Sequence, residues 1–183
     1  MADRIRSMEV DSRYTSSQRV EYLRRQGAPS AATSPLDHVH YQIELARQLL
    51  RAGSTRAAVA RLDTVHRQVE NQRLPAYEKE ARRLQSLRAL SYLRLGEQRN
   101  CLVDHGAASC IFPIRGEGVH EFKRGSRKAV ELYGEILGDR PGDLRARWLY
   151  NLAHMTLGTY PDEVTERWRF PPGDFEDTTG FPL

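Results

Sequence analysis

Lysine is nearly missing from this sequence, and so are cysteine, long apolar runs and any block of like charge. Three lysines stand beside 25 arginines, giving a net charge of +4. The arginines do not cluster. They alternate with acidic residues, as in E-K-E-A-R-R and R-P-G-D-L-R-A-R, whereas a face that tracks phosphates would be concentrated, so no nucleic-acid partner is expected. No stretch approaches the roughly 20 apolar residues of a membrane helix, which predicts no membrane partner. The opening residues M-A-D-R-I-R-S-M-E-V lack the apolar core of a signal peptide, so a cytoplasmic location is expected. Neither an acid–base pair nor a phosphate loop can be read, which argues against a stand-alone enzyme.

What is present suits a globular protein: 183 residues, 39% hydrophobic and 28% charged, enough for one well-packed domain. Residues 1–34 read as an arm and linker, in which Thr15 to Ser17 offer helix caps, Gly27 a stop, and A-P-S-A-A-T-S-P linker composition. Ser34-Pro35 then starts a helix, because proline's missing N–H costs nothing at the first helical position. Apolar spacing predicts helices over about 35–52, 54–70, 76–95, 126–138 and 144–157, the third stopped by Gly96. Residues 161–183 form an aromatic, proline-rich tail expected to lie extended along a surface.

The spacing within these helices repeats. Ala46, Leu49, Gly53, Ala58, Leu62 and Val65 follow the tetratricopeptide pattern, and Ala89, Tyr92 and Gly96 follow its first half. Ala129, Tyr133, Ile136 and Pro141 supply a second half, and Asn151, His154 and Gly158 begin again. Small residues let paired helices approach, large apolar ones fill the gap, and glycine accepts the left-handed turn. The expected fold is therefore all-α: antiparallel helix pairs of tetratricopeptide type, about two and a half repeats, over residues 35–160. One interval breaks the frame. Gly53 to Ala58 is 5 residues, but Gly96 to Ala129 is 33, leaving an insert of 28 placed at about 97–125. Loops that long inside compact domains are uncommon.

The insert holds both cysteines and two histidines in the order Cys101-x3-His105-x4-Cys110-x9-His120. Three readings stand together. Thiolates and imidazoles are ligands that zinc or copper favours, and four suffice for a closed tetrahedral site, although the spacing matches no standard zinc motif. A Cys101–Cys110 disulfide would add about 2–3 kcal/mol, given an oxidising compartment. Buried thiols with hydrogen-bonded histidines are the third. Elsewhere the candidates are surfaces. The concave face of helical repeats binds peptides through Arg, Asn and Tyr, which selects Tyr41, Arg47, Arg88, Tyr92, Tyr150 and Asn151, with Trp168 and Phe170 in the tail.

The wording L-G-E-Q-R-N-C-L-V-D-H-G-A-A-S-C-I-F-P-I-R-G-E-G-V-H, then G-S-R-K-A-V-E-L-Y and L-R-A-R-W-L-Y-N-L-A-H-M-T-L-G-T-Y-P resembles one family. It is the tetratricopeptide-like region of bacterial proteins with FG-GAP/VCBS repeats and an ASPIC/UnbV domain, akin to cartilage acidic protein. The resemblance spans roughly residues 36–172 and is specific over 95–161. It implies a β-propeller partner with acidic, metal-binding blades, a setting in natural-product biosynthesis, and the Cys101, His105, Cys110, His120 set as a family feature. Two functions follow as expectations. One is a binding scaffold that docks such a propeller or a peptide. The other is a metal-binding component of a biosynthetic, oxidative metalloenzyme with ligands from the insert.

Overall fold

The computed structural model describes residues 15–70, 77–101 and 111–175. Among them the chain is all-helical, with no strand. Six α-helices appear: α1 Ser16–Gln26, α2 Pro35–Arg51, α3 Thr55–Glu70, α4 Glu78–Cys101, α5 Arg124–Asp139 and α6 Leu144–Leu157. Three 3-10 turns accompany them, at Gly116–Gly118, Glu166–Trp168 and Pro172–Phe175. Contacts divide the chain into two compact units, Met1–Ser91 and Tyr92–Leu183, with the boundary inside α4. None of the described helices is long and apolar enough to cross a membrane.

The first unit begins with a reciprocal cap. Thr15 Oγ1 accepts from Gln18 N at 3.3 Å while Gln18 Oε1 accepts from Thr15 N at 3.1 Å, satisfying two otherwise orphaned donors of α1. Three-residue spacing puts Val20 and Leu23 on one face, where they are buried with Leu45, Leu49 and Ala58. Ser16–Gln26 thus belongs to the core of this unit rather than to an arm.

Helix α2 buries a second face through Val39, Ile43 and Ala46, in a cluster with Leu62 and Val65 of α3 and Leu84 of α4. It ends as the glycine predicts. Gly53 has φ +78 and Ser54 N donates to Leu49 O at 2.9 Å, closing the left-handed C-terminal motif. Ser34 makes no side-chain cap bond, so proline's geometry, not a hydroxyl, opens this helix. Between α4 and α3, the nearly buried Arg88 donates through Nε to Asp63 Oδ1 at 3.0 Å.

In the second unit α5 packs on α6, burying Ala129, Leu132, Tyr133, Ile136 and Leu137 along α5 and Ala146, Tyr150, Ala153 and Met155 along α6. Asp143 caps α6 by accepting from Ala146 N at 2.9 Å. Gly158, φ +75, ends it, with Thr159 N donating to His154 O at 3.0 Å. Two expected boundaries move. Helix α4 does not stop at Gly96 but runs on to Cys101, and α5 opens at Arg124 instead of Ser126. Glycine ends a helix only where its φ turns positive, and Gly96 is not among the positive-φ glycines.

Candidate functional site

What Gly96 provides is room. A Cβ on Gly125, at the start of α5, would lie 2.6 Å from Gly96 N and 2.7 Å from Tyr92 O, and one on Gly96 would lie 3.2 Å from Ser126 Oγ. The first turn of α5 therefore rests directly on the backbone of α4. Beside this contact the described end of the insert is fastened at three points. Asn100 receives Phe122 N on its Oδ1 at 2.9 Å and donates Nδ2 to Phe122 O at 3.3 Å, pairing with one residue's main chain as a strand would. His120 N donates to Thr156 O at 2.8 Å. Val119 fills the space over Gly158, where a Cβ would meet it at 3.1 Å.

His120 is buried, with Nδ1 3.0 Å from Ser126 Oγ, and Thr156 Oγ1 stands 2.9 Å from the same hydroxyl. Burial holds the imidazole pKa below its ordinary value. A serine within reach of a histidine invites a catalytic reading, but the geometry rejects it. Ser126 is wholly enclosed, its hydroxyl is engaged by Thr156 and His120, and glycine backbone occupies the adjoining space. The trio is a structural pin joining insert, α5 and α6.

Of the expected metal ligands, His120 alone can be placed. His105, Cys110 and the side chain of Cys101 lie outside the described residues, and among the described residues no three His, Cys, Asp or Glu side chains gather in a metal-holding group.

The expected binding residues separate by burial. Arg88, Tyr150, Asn151 and Trp168 are interior. Arg88 is held by Asp63 as above. Tyr41 is half-buried, its hydroxyl donating to Leu23 O at 2.9 Å, and Arg47 pairs with Glu44 at 3.2 Å. Tyr92 is half-buried and Phe170 likewise. Asn151, which takes the small-residue slot of the repeat pattern, is fully enclosed and divides its amide between helix and tail: Nδ2 donates to Arg147 O and to Trp168 O, each at 2.8 Å, and Oδ1 accepts from Phe170 N at 3.1 Å.

The apolar surface that does face solvent lies elsewhere. Leu144 is 71% exposed, Ile111 55% and Phe112 41%. Phe112 meets Trp148 edge-on at 5.5 Å, and Trp148 in turn contacts Phe170 and Phe175, each at 6.0 Å. Leu144 and Trp148 are four residues apart on α6 and so share its face. Charged groups stand near the patch: Arg145, next to Leu144 in sequence, and Arg115 are exposed, and Arg115, Asp174 and Arg169 all lie near enough to act on the Tyr160 hydroxyl, whose pKa burial raises. Tyr160 reaches the patch through Phe175, 6.0 Å away.

Sequence reasoning did not single out Asn100, Gly125, Arg147 or Leu144, and it read Ser126 only as a helix start. A usable signal existed for Asn100, the same one that Asn151 carries. Asparagine is a poor helix former, so Asn100 and Asn151, both within helices, require a reason, and each supplies one by holding extended main chain. Comparison with family models, curated proteins and solved structures returned no match.

Proposed function

We propose that this chain is a helical-repeat binding module of tetratricopeptide type, which docks an acidic protein partner, a β-propeller of the FG-GAP/VCBS and ASPIC/UnbV kind. The observation that carries this reading is apolar surface in which exposed Phe112 packs on half-buried Trp148, with exposed Ile111 beside Phe112 in sequence, exposed Leu144 on the Trp148 face of α6, and arginine near by. Apolar surface rimmed by charge marks protein interaction sites, and a rim in which Arg115, Arg145 and Arg169 outnumber Asp174 suits an acidic partner. The repeat frame supports it further. Ala46, Ala89 and Asn151 each stand seven residues before a glycine, and all three are fully buried. Natural-product biosynthesis is the setting that the sequence resemblance suggests.

The test is capture of a purified FG-GAP/VCBS propeller on the immobilised chain. Wild type retains it, and Leu144→Asp or Phe112→Asp, exposed changes that leave the core alone, releases it. A propeller that fails to bind wild type removes the docking reading. Full retention by both variants removes the patch as its seat.

One observation favours a second reading, a metal-binding component with Cys101, His105, Cys110 and His120 as ligands. Ser126 holds Nδ1 of His120, the arrangement that orients an imidazole to ligate through Nε2. Zinc or copper would then fix the insert. Elemental analysis of protein never exposed to chelator decides it, since absence of stoichiometric metal excludes this role.

A further inference from the structure

The segment Trp168–Phe170 is held in a manner that ordinary core packing does not require. All three of its carbonyls accept hydrogen bonds from side chains: Trp168 O from Arg147 Nε at 3.0 Å and Asn151 Nδ2 at 2.8 Å, Arg169 O from Arg147 Nη2 at 2.7 Å, and Phe170 O from the Tyr160 hydroxyl at 2.6 Å. Phe170 N donates to Asn151 Oδ1 at 3.1 Å. The two aromatic side chains are seated separately. Trp168 packs edge-on against Tyr150 at 5.6 Å, and the Phe170 ring lies under the Arg147 guanidinium at 4.3 Å. Main-chain bonds for hold and side-chain seats for selectivity are how proteins bind extended peptides.

The segment is also an independent piece of chain. Past Gly158 the described residues form only 3-10 turns, with Pro161, Pro171 and Pro172 interrupting any longer helix. A single 3-10 turn leads into it, with Trp168 N donating to Thr165 O at 2.9 Å, and beyond that turn its path is set by α6 and Tyr160. In α2 the corresponding slot is Ala46, packed beneath Leu62 and Val65 of the next helix. In α6 the slot is Asn151, and the extended segment lies on it.

We infer that the face of α6 bearing Arg147, Tyr150 and Asn151 is a peptide-binding site for a Trp-x-Phe segment that leaves a 3-10 turn at its tryptophan, occupied in cis by residues 168–170 and open in trans to the same segment of a second copy. Each copy carries both halves of the contact, so exchange of tails between two molecules preserves every bond and changes only the tether. The short connection from Gly158 to Thr165 gives the cis segment an effective concentration in the millimolar range, which keeps the dilute protein closed on itself. This site adjoins the patch proposed to dock the propeller, since Phe170 packs on Trp148 at 6.0 Å, but its hydrogen bonds come from Arg147, Asn151 and Tyr160, outside that patch.

Two full-length variants test it. In one, Trp168→Ala with Phe170→Ala empties the site. In the other, Arg147→Ala with Asn151→Leu spoils the face and leaves the tail sequence intact. Size exclusion with light scattering should find each alone monomeric and their mixture a one-to-one dimer. A fluorescent peptide of residues 163–172 should bind the emptied chain, bind wild type at least about tenfold more weakly because the cis segment competes, and not bind the spoiled face. A helical emptied chain that binds no peptide, with a mixture that stays monomeric, overturns the inference. If the double variant loses its helical circular dichroism, Phe170→Ala alone carries the titration, and no gain over wild type in the folded single variant overturns it equally.

Discussion

His154 should make the second unit acid-labile by an amount that can be read from its surroundings. The ring is 4% exposed and packs edge-on against Tyr150 at 4.6 Å. Its Nδ1 lies 2.8 Å from Thr159 Oγ1, whose own hydroxyl reaches back to His154 O at 3.3 Å. That arrangement puts the ring proton on Nδ1 and leaves Nε2 a buried atom with no partner. Protonating Nε2 would place an uncompensated charge and an unmatched donor in the core, and burial accordingly lowers the pKa from 6.5 to about 4. Because the folded value lies below the unfolded one, stability is complete above pH 6.5 and is lost as pH falls through 6.5 towards 4. At about 1.4 kcal/mol per pH unit, the loss approaches 3 kcal/mol by pH 4. Both tryptophans, Trp148 and Trp168, lie in this unit, so fluorescence-detected urea unfolding at pH 7, 5 and 4 reports on it directly. The comparison is His154→Phe, which keeps an aromatic ring and cannot titrate. Carboxylates contribute to both proteins alike, so the difference between the two pH profiles isolates the histidine. Wild type should lose about 3 kcal/mol more than the variant between pH 7 and 4. Parallel profiles would refute the reasoning.

Gly125→Ala should destabilise by about 1–3 kcal/mol or more, since the new methyl meets backbone that cannot yield, whereas Gly138→Ala in the same helix, with nothing within 4 Å, should stabilise by about 0.5–1 kcal/mol; calorimetry of the pair separates close approach from helix propensity. Asn100→Ala removes both bonds to Phe122 and should cost about 2 kcal/mol, with trypsin cutting at Arg115 and Lys123 sooner than in wild type; unchanged cleavage would mean that Asn100 does not hold the insert. Arg88→Ala leaves the Asp63 carboxylate without this guanidinium and should cost about 2 kcal/mol, seen as a lower urea midpoint, and Asp63→Asn should recover part of the loss in an Arg88→Ala background.

The helices were legible because their signals are local. Pro35, Gly53 and Gly158 act within one turn of themselves, and apolar residues at three- and four-residue spacing identify the buried faces without knowledge of any partner. Gly96 misled for a related reason. A glycine at a possible helix end looks the same in sequence whether it turns the chain or admits a neighbour, and the neighbour here, Gly125, is 29 residues away. The binding candidates show the same limit. Tyr150, Asn151 and Trp168 were recognisable as unusual, but their burial depends on the tail folding back over α6, a contact spanning 17 residues between Asn151 and Trp168 that no periodicity announces. Leu144 escaped notice because an exposed leucine is ordinary until Trp148 and Phe112 are known to stand beside it.

The bonds that Arg147, Asn151 and Tyr160 make to residues 168–170 have a consequence for where the instructions for the tail are stored. Every one of them addresses a carbonyl or an amide that any amino acid would present, so the tail's own letters specify little beyond the rings of Trp168 and Phe170. Arg169 contributes its carbonyl to this fastening, and substitution there should leave the path unaltered. The route taken by residues 168–170 is therefore written in α6 and Tyr160, and a foreign segment with aromatics two residues apart, grafted after Thr165, should follow the same course.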